Sequence, residues 1–253
     1  MTGLHNYTDE FFEYIERGSI GSAQRITKFV APLLNTKSLL DVGCGRGAWL
    51  NEWRNAGVEL AHGIDGPYVQ RSSLLIPERD FRSVDLSEPF GLDRQYDLVT
   101  CLEVAEHLPP AASEGLVSSL VRHSGLVLFS AATPGQGGEN HVNEKPLAYW
   151  QRLFLSRGYS SFDIVRPVFR RDPVVEPWYK FNTLLYANDV ATSLLPESVA
   201  KSKVALGQLR ETGNLAWRAR RAVLRLLPQA TVTSLARWNA KRVIAARNPS
   251  SAR

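Results

Sequence analysis

Apolar runs and amphipathic segments alternate along residues 38–186. Short apolar runs bounded by turn residues predict strands, and apolar residues three or four positions apart predict helices. We predict seven strands, over residues 38–42, 60–64, 81–84, 97–102, 125–130, 161–165 and 181–186. Helices are predicted over 47–56, 68–75, 111–122 and 146–157. The alternation is typical of βαβ units, so we expect an α/β fold with a mostly parallel seven-stranded sheet flanked by helices.

Helical patterns also precede and follow this alternating region. Residues 1–37 predict two helices, with apolar faces at Phe11, Phe12 and Ile15 and at Ile26, Phe29, Val30 and Leu33. Beyond Asn188 the pattern becomes helical and basic, with helices over 214–227 and 231–246 separated by Pro228. We therefore expect an N-terminal helical cap over 1–37, an α/β domain over 38–190 and a basic helical extension over 191–253.

Composition narrows the class of protein. The chain has 253 residues, of which 44% are hydrophobic, which is enough for one α/β domain with a substantial core and an appendage. Its two cysteines, Cys44 and Cys101, lie in apolar strand-associated positions and cannot form a disulfide framework. We find no secretory signal pattern and no apolar run of about 20 residues. We expect a reducing, cytoplasmic location.

Charge is divided unevenly along the chain. From Lys201 onward there are 12 Lys and Arg residues against one acid, whereas residues 1–200 carry 18 basic and 24 acidic residues. On the predicted helix 214–227, Arg218, Arg221 and Arg225 lie opposite an apolar stripe. Such a helix suits an anionic membrane surface, a partner or the acidic body of the same chain. We expect peripheral contact with the inner membrane face or a partner, and we do not expect a nucleic-acid binder.

A glycine-rich turn follows the first strand. Residues 41–47 (DVGCGRG) lead from an apolar run into a helix, an arrangement in which backbone N–H groups face a bound ligand. Asp65 closes the second strand, where an acid can hold both ribose hydroxyls of a nucleoside. Asp85 closes the third strand and can accept a hydrogen bond from an adenine amine. A dinucleotide site is the competing interpretation, but the third glycine of the G-x-G-x-x-G spacing is absent.

These motifs, taken in order over residues 39–186, resemble those of class I S-adenosylmethionine (SAM) methyltransferases. The resemblance implies a Rossmann-like methyltransferase fold with SAM as cofactor. It implies that Gly43 and Gly45 lie against the amino-acid part of SAM and that Asp65 holds the ribose. It also implies that Asp85 and Leu86 flank the adenine. The implied cofactor set is Asp41, Gly43, Cys44, Gly45, Asp65, Asp85, Leu86 and Leu102.

The turn after the fourth strand carries two carboxylates and an imidazole, at Glu103, Glu106 and His107. On a helical turn these positions share one face, and His141 approaches the same edge from the loop 133–145. Together the four residues are a candidate site for Mg²⁺ or Mn²⁺. Without a metal, His141 or His107 is the candidate general base, with Glu106 beside it as a further catalytic candidate. The same residues also suit a helix start in which Glu103 hydrogen-bonds the cofactor.

The E-x-x-E-H spacing resembles the ubiquinone-pathway O-methyltransferases and the terminal 2′-O-methyltransferases of small RNAs. This resemblance implies a cation that chelates adjacent hydroxyls of a catechol or a ribose. A vicinal diol on a sugar would fit the same site.

The segment 137–144, with Tyr149, Trp150, Trp178 and Tyr179, resembles methyltransferases found with bacterial surface-glycan and exopolysaccharide enzymes. It implies O-methylation of a sugar hydroxyl in a glycan, glycolipid or lipo-oligosaccharide, with a deoxysugar such as fucose as one candidate. The alternatives are a catechol or quinone ring, a terminal RNA ribose, and a SAM-binding protein without turnover. Tyr149 and Trp150 also suit packing of an amphipathic helix on the sheet.

Overall fold

One eight-stranded sheet organises the chain. The computed structural model describes residues 9–210 and 212–245. The strands are β1 (Ser38–Val42), β2 (Leu60–Asp65), β3 (Phe81–Ser83), β4 (Leu98–Leu102), β5 (Leu126–Ser130), β6 (Tyr159–Phe162), β7 (Leu184–Asn188) and β8 (Lys203–Val204). Their order in the sheet is β3-β2-β1-β4-β5-β7-β6-β8.

Strand direction divides this sheet into two parts. The pairs from β3 through β5 are parallel, whereas β7 pairs antiparallel with β5 and with β6, and β8 pairs antiparallel with β6. The predicted α/β fold is confirmed, with eight strands rather than seven because the two residues of β8 extend the edge beyond β6. The parallel strands all end at one edge, which is where ligands bind in such sheets.

Helices flank the sheet. They are α1 (Asp9–Leu33), α2 (Ala48–Asn55), α3 (Ser113–His123), α4 (Leu147–Leu155), α5 (Arg166–Phe169), α6 (Pro177–Asn182), α7 (Asp189–Leu194), α8 (Glu197–Ala200), α9 (Leu215–Leu224) and α10 (Gln229–Ala245). The helix predicted over 68–75 is wrong: only Arg71–Ser73 form a 3₁₀ turn. A helix does not continue there because the Leu75 N–H donates to the Arg46 carbonyl, at 2.8 Å, instead of to a carbonyl one turn earlier.

The prediction of two helices in residues 1–37 is also wrong for its described part. α1 is unbroken from Asp9 to Leu33, and residues 1–8 lie outside the described chain. Two glycines, Gly18 and Gly21, lie inside this helix. A Cβ on Gly18 would come within 2.8 Å of a Glu176 carboxyl oxygen, and one on Gly21 within 3.0 Å of a Val174 methyl. These glycines therefore permit close packing of the segment before α6.

Apolar side chains fill both faces of the sheet. On one face, Ile26 and Val30 of α1 and Trp53 of α2 are fully buried in the same cluster. On the other face, Leu116 of α3 joins a cluster that includes Trp150 of α4. Trp150 is 1% exposed and packs on Phe129 with ring centroids 5.0 Å apart. Trp150 is thus a core residue, as the packing alternative predicted, and it does not reach a ligand site.

The last two long helices, α9 and α10, are joined by residues 225–228, and we call this segment the C-terminal hairpin. α10 packs against α1. The apolar stripe predicted on helix 214–227 faces outward: Leu215, at the start of α9, is 81% exposed, and Leu226, just after its end, is 84% exposed. Arg221 instead points inward and is 5% exposed, because its guanidinium donates to the Pro134 carbonyl. Residues 246–253 of the predicted extension lie outside the described chain.

Candidate active site

The glycine turn lies between the end of β1 and the start of α2. Gly43 and Gly45 have φ angles of +79° and +55°, which residues with a Cβ rarely adopt. A Cβ on Gly43 would collide with the Val104 side chain. The Gly43 N–H is held by the Ile64 carbonyl at 2.8 Å, so the turn is tied to β2. The backbone is therefore fixed in a shape that only glycine allows.

Asp65 anchors the same turn from the end of β2. Its carboxylate accepts hydrogen bonds from the Gly45 N–H and the Gly66 N–H, both at 2.6 Å, and from the Tyr68 hydroxyl. Burial raises the pKa of Asp65, although these three donors oppose the rise. Asp65 lines a cavity together with Gly43, Cys44, Gly45 and Leu102, so five of the predicted cofactor residues meet on one wall.

Three predicted cofactor residues lie off this wall. Asp41 is buried behind the turn, where it accepts from the Thr100 hydroxyl at 2.6 Å. Leu86 packs in the core, and the exposed Asp85 accepts from both the backbone N–H and the hydroxyl of Ser87. Asp85 and Leu86, which were predicted to flank the adenine, thus make their contacts with other residues of the chain. Their contact with a cofactor stays a prediction.

A carboxylate and two imidazoles meet at the end of β4. One ligand-type atom each from Glu106, His107 and His141 lies within 4.8 Å of the others. The two imidazole centroids are 4.9 Å apart. Glu106 is fully buried, and neither carboxyl oxygen has a hydrogen-bond partner of ordinary geometry. Burial, followed by the nearby charge of Glu103, raises the pKa of Glu106 well above its ordinary value.

Glu103 does not belong to this three-residue group. Its φ of +56° turns the side chain away from the helical face that spacing predicted, and residues 105–107 form a 3₁₀ turn instead of an α-helix. The Glu103 carboxylate accepts from the Gln136 side-chain amide at 2.6 Å, and Asn182 in turn donates to Gln136 at 2.7 Å. Of the four predicted metal ligands, three converge and Glu103 is held beside them. Positive φ at a glutamate is a strained conformation of the kind found at functional sites.

The loop 133–145 is fastened to the β4 turn by its backbone. The N–H groups of Val142 and Asn143 both donate to the Glu106 carbonyl, at 2.8 and 3.0 Å. The buried Asn143 side chain donates to the Ala105 carbonyl and to the Ser113 hydroxyl. These bonds explain why His141, 34 positions after His107 in the chain, contacts it in the fold.

The turn and the histidine cluster open into one cavity of about 550 Å³, a size typical of small-molecule sites. Glu16 and Ser19 of α1 and Trp178 and Tyr179 of α6 contribute to its wall. The C-terminal hairpin closes another side, with residues that include Trp217 and Trp238. The cavity therefore places a nucleotide-type turn and a candidate base on shared walls.

A family model named "Methyltransferase domain" matches residues 14–171, which is more than half of the chain. The chain belongs to this methyltransferase family.

Curated relatives of the methyltransferase include O-methyltransferases. A ubiquinone biosynthesis O-methyltransferase of Bordetella bronchiseptica is 35% identical over 141 residues, covering 51% of this chain and 56% of the relative. One of Neisseria meningitidis serogroup C is 30% identical over 127 residues, covering 46% and 48%. The chain thus spans about half the length of these relatives. The family match confirms the methyltransferase that the sequence motifs predicted, and SAM is the methyl donor that those motifs imply.

Solved structures show the same fold at low identity. The sugar N-methyltransferase KedS8 from a Streptoalloteichus species has a TM-score of 0.53 and 14% identity, with 74% of this chain and 95% of that chain covered. CalS10, an amino pentose methyltransferase from Micromonospora echinaspora, has a TM-score of 0.51 and 17% identity, with 73% and 99% covered. At this identity the likeness concerns the Rossmann-like methyltransferase fold.

The carboxylate that orients His141 belongs to Glu144, which was not among the residues predicted from the sequence. Glu144 accepts from His141 Nδ1 at 3.0 Å and from the N–H groups of Gly135 and Gly137, both at 2.7 Å. Burial alone would raise the pKa of Glu144, but these hydrogen bonds outweigh it and lower the pKa. With Nδ1–H donating to Glu144, Nε2 is the nitrogen left to act as base or ligand. The signal in the sequence is an acid three residues after a histidine.

Proposed function

We propose that this enzyme transfers the methyl group of SAM to a hydroxyl of a sugar in a glycan, glycolipid or lipo-oligosaccharide, with deoxysugars such as fucose among the candidates. The observation that carries the proposal is the cluster of Glu106, His107 and His141, with its fully buried carboxyl, on the wall of the cavity. A hydroxyl needs a base or a cation beside it to become a nucleophile, and this cluster can supply either.

The chemistry requires few groups. The acceptor oxygen forms a bond to the methyl carbon while the carbon–sulfur bond breaks, and S-adenosylhomocysteine (SAH) leaves with the bonding electrons. The hydroxyl proton passes to an imidazole, for which His141 is the better placed because Glu144 orients its ring. Transfer of this kind depends mainly on position and on a deprotonated oxygen.

A divalent cation fits the same cluster. Because the Glu106 carboxyl is fully buried, its ionised form needs a positive charge beside it, and a cation would supply that charge. Glu106, His107 and His141 would hold the ion, and oxygen with nitrogen donors suits Mn²⁺ or, less well, Mg²⁺. When bound, the ion would lower the pKa of an acceptor hydroxyl.

Manganese binding tests this part of the proposal. We expect one Mn²⁺ site per chain by electron paramagnetic resonance, lost in Glu106→Gln and kept in Glu103→Gln, since Glu103 bonds to Gln136 instead. Equal binding by the two variants would contradict the assignment. Full methyl transfer after metal stripping would leave His141 as the base and remove the metal from the proposal.

The side chains of the cavity wall support a sugar as the acceptor. Asn239 brings an amide group, and Trp178 and Trp238 bring flat indole rings. Sugars present hydroxyls for hydrogen bonds and C–H faces that pack on aromatic rings. A glycan acceptor would use both kinds of group.

A quinol ring is the second candidate acceptor. The relatives named for ubiquinone biosynthesis support it, and so do aliphatic wall residues such as Leu224, Val232 and Leu235. Incubation with methyl-labelled SAM and matched panels of glycolipids, nucleotide sugars, quinol precursors and RNA separates the candidates. We expect label in the sugar-containing fractions. Label confined to quinols would favour the second candidate, and label in RNA would contradict both.

We also propose that the outer face of α9 contacts the inner face of the membrane. No helix in the described ranges is long and apolar enough to cross a bilayer. Val223 and Leu226 are exposed beside the basic residues of the tail, a combination that suits anionic lipid. We expect flotation with phosphatidylglycerol vesicles, lost when Val223 and Leu226 are both changed to Glu and retained in Leu194→Glu on exposed α7. Identical flotation of these variants would contradict the contact.

A further inference from the structure

The C-terminal hairpin bonds repeatedly to the loop that carries His141. Arg221 donates from Nε and Nη2 to the Pro134 carbonyl, at 3.2 and 2.8 Å, and Arg225 Nε donates to the same oxygen at 2.8 Å. The Gln229 side chain donates to the carbonyl of His141 itself. Because a buried guanidinium is costly without such partners, hairpin and loop are held as one unit.

Two glycines of the loop make this approach possible. Gly135 has φ +79°, and a Cβ there would lie 2.5 Å from the Arg221 carbonyl oxygen and from Arg225 Cγ. Gly137 has φ +68°, and its Cβ would lie 2.8 Å from a Leu224 methyl. The glycines of this loop thus allow two things: the close approach of the hairpin and the turn of the backbone around Glu144.

The hairpin also reaches the network around Glu103. Arg220 donates from Nη1 to the Gln136 carbonyl, while the Gln136 side chain donates to Glu103. The Arg220 guanidinium lies 5.3 Å from the centre of the Trp217 ring, and both residues line the cavity. Trp217 and Arg220 lie outside residues 14–171, the part of the chain that the family model matches.

We infer that the C-terminal hairpin is the acceptor-binding wall of this enzyme, with Trp238 as a stacking surface for the sugar, and that its bonds to the loop 133–145 position His141. The choice of a sugar rests on the proposed function, whereas the coupling of hairpin and loop does not. Trp238 lines the cavity and is 59% exposed, so it stands at the opening where a glycan would enter. The hairpin residues then act as positioning and specificity residues for the methyl transfer.

A matched pair of glycine variants tests the coupling. Gly135 and Gly158 both have φ +79°, but a Cβ on Gly158 meets nothing within 4 Å. We expect Gly135→Ala to raise amide hydrogen exchange about tenfold in both the loop and the hairpin, while Gly158→Ala leaves them unchanged. SAH binding should stay within about threefold in both variants, because the glycine turn after β1 is untouched. Equal exchange in the two variants would overturn the coupling.

Trp238 variants test the acceptor wall. Methyl α-L-fucopyranoside and catechol serve as probes, titrated into the SAH-bound full chain with tryptophan fluorescence as the signal. We expect Trp238→Ala to weaken binding of the fucoside about fivefold to tenfold and Trp238→Phe to restore most of it.

The two probes separate the wall from the choice of acceptor. Catechol binding that depends on Trp238, with no binding of the fucoside, would support the hairpin as the acceptor-binding wall and would overturn a sugar as the acceptor. Fucoside binding that is unchanged in Trp238→Ala would overturn the stacking role while the proposed function stands. No binding of either probe to the wild-type chain would also overturn the acceptor wall.

Discussion

The two halves of the site are built in different ways. The cofactor half, residues 38–65, is one strand, one turn, one helix and the next strand, joined by hydrogen bonds such as that from Gly45 to Asp65. The acceptor half consists of the loop 133–145 and the C-terminal hairpin, whose contacts join residues 84–98 positions apart. A nucleotide-type turn is thus specified locally, whereas the acceptor wall depends on the complete fold.

The difference has an energetic counterpart. In the cofactor half, buried backbone groups and Asp65 satisfy one another at fixed positions of a parallel sheet. In the acceptor half, arginines reach backbone carbonyls across a surface, and the Arg237–Glu139 ion pair has an arginine side chain that is 50% exposed. Such exposed pairs contribute little stability. We therefore expect the acceptor half to open before the cofactor half does.

Removal of the imidazole of His141 should have the largest effect on turnover. We expect His141→Ala to lower methyl transfer about 10²-fold to 10⁴-fold, because the candidate base is lost. The SAH dissociation constant by calorimetry should change little, since the glycine turn remains intact. Val142→Ala, at the exposed next position of the loop, is the control and should retain activity. Methyl transfer by His141→Ala near the control rate would exclude a role for His141.

A methyl group added at Gly43 tests the rigidity of the cofactor half. Both positive φ and the collision with Val104 oppose an alanine there, so we expect a loss of about 2–4 kcal/mol in unfolding free energy. SAH affinity should fall by at least about tenfold. Gly57→Ala is the matched control, because Gly57 has φ +97° and open space around its Cβ. If urea unfolding and SAH titration gave equal values for the two variants, the close fit of the turn would be wrong.

The pH dependence of stability tests the buried acid behind the turn. Burial, with a smaller opposing effect of the Thr100 hydrogen bond, raises the pKa of Asp41 from 3.8 to about 7. The native state therefore keeps a proton that the unfolded chain releases, and stability falls as pH rises through this window. Between about pH 5 and pH 8, wild type should lose about 2.5 kcal/mol relative to Asp41→Asn. Urea unfolding of both proteins at the two pH values measures this difference, and a constant difference would contradict the buried carboxyl.

The sequence predicted the parts of the site that local chemistry dictates. The turn at 43–47 and Asp65 could be found because strand, glycine and acid follow each other at short spacing. The meeting of Glu106, His107 and His141 could be inferred because parallel strands end at one edge. Glu103 was misplaced since its positive φ has no signal in residue type.

The inward face of α9 could not be predicted from periodicity. An apolar stripe opposite arginines normally turns the stripe toward the core, but here the carbonyls of Pro134 and Gln136 bind the guanidinium groups. Those carbonyls belong to a loop some 80 residues earlier, and neither element reveals the other in isolation. The acidic body and basic tail were the only trace of this contact in the sequence.

The position of the transferred methyl group is the most direct test of the proposed activity. SAM carrying a ¹³C-labelled methyl group would be incubated with the enzyme and a glycolipid extract, and the product examined by heteronuclear NMR. We predict a long-range correlation from the labelled methyl carbon to a proton on a sugar ring carbon, and its absence with His141→Ala. A correlation to an aromatic ring carbon, or to a nitrogen, would contradict sugar O-methylation.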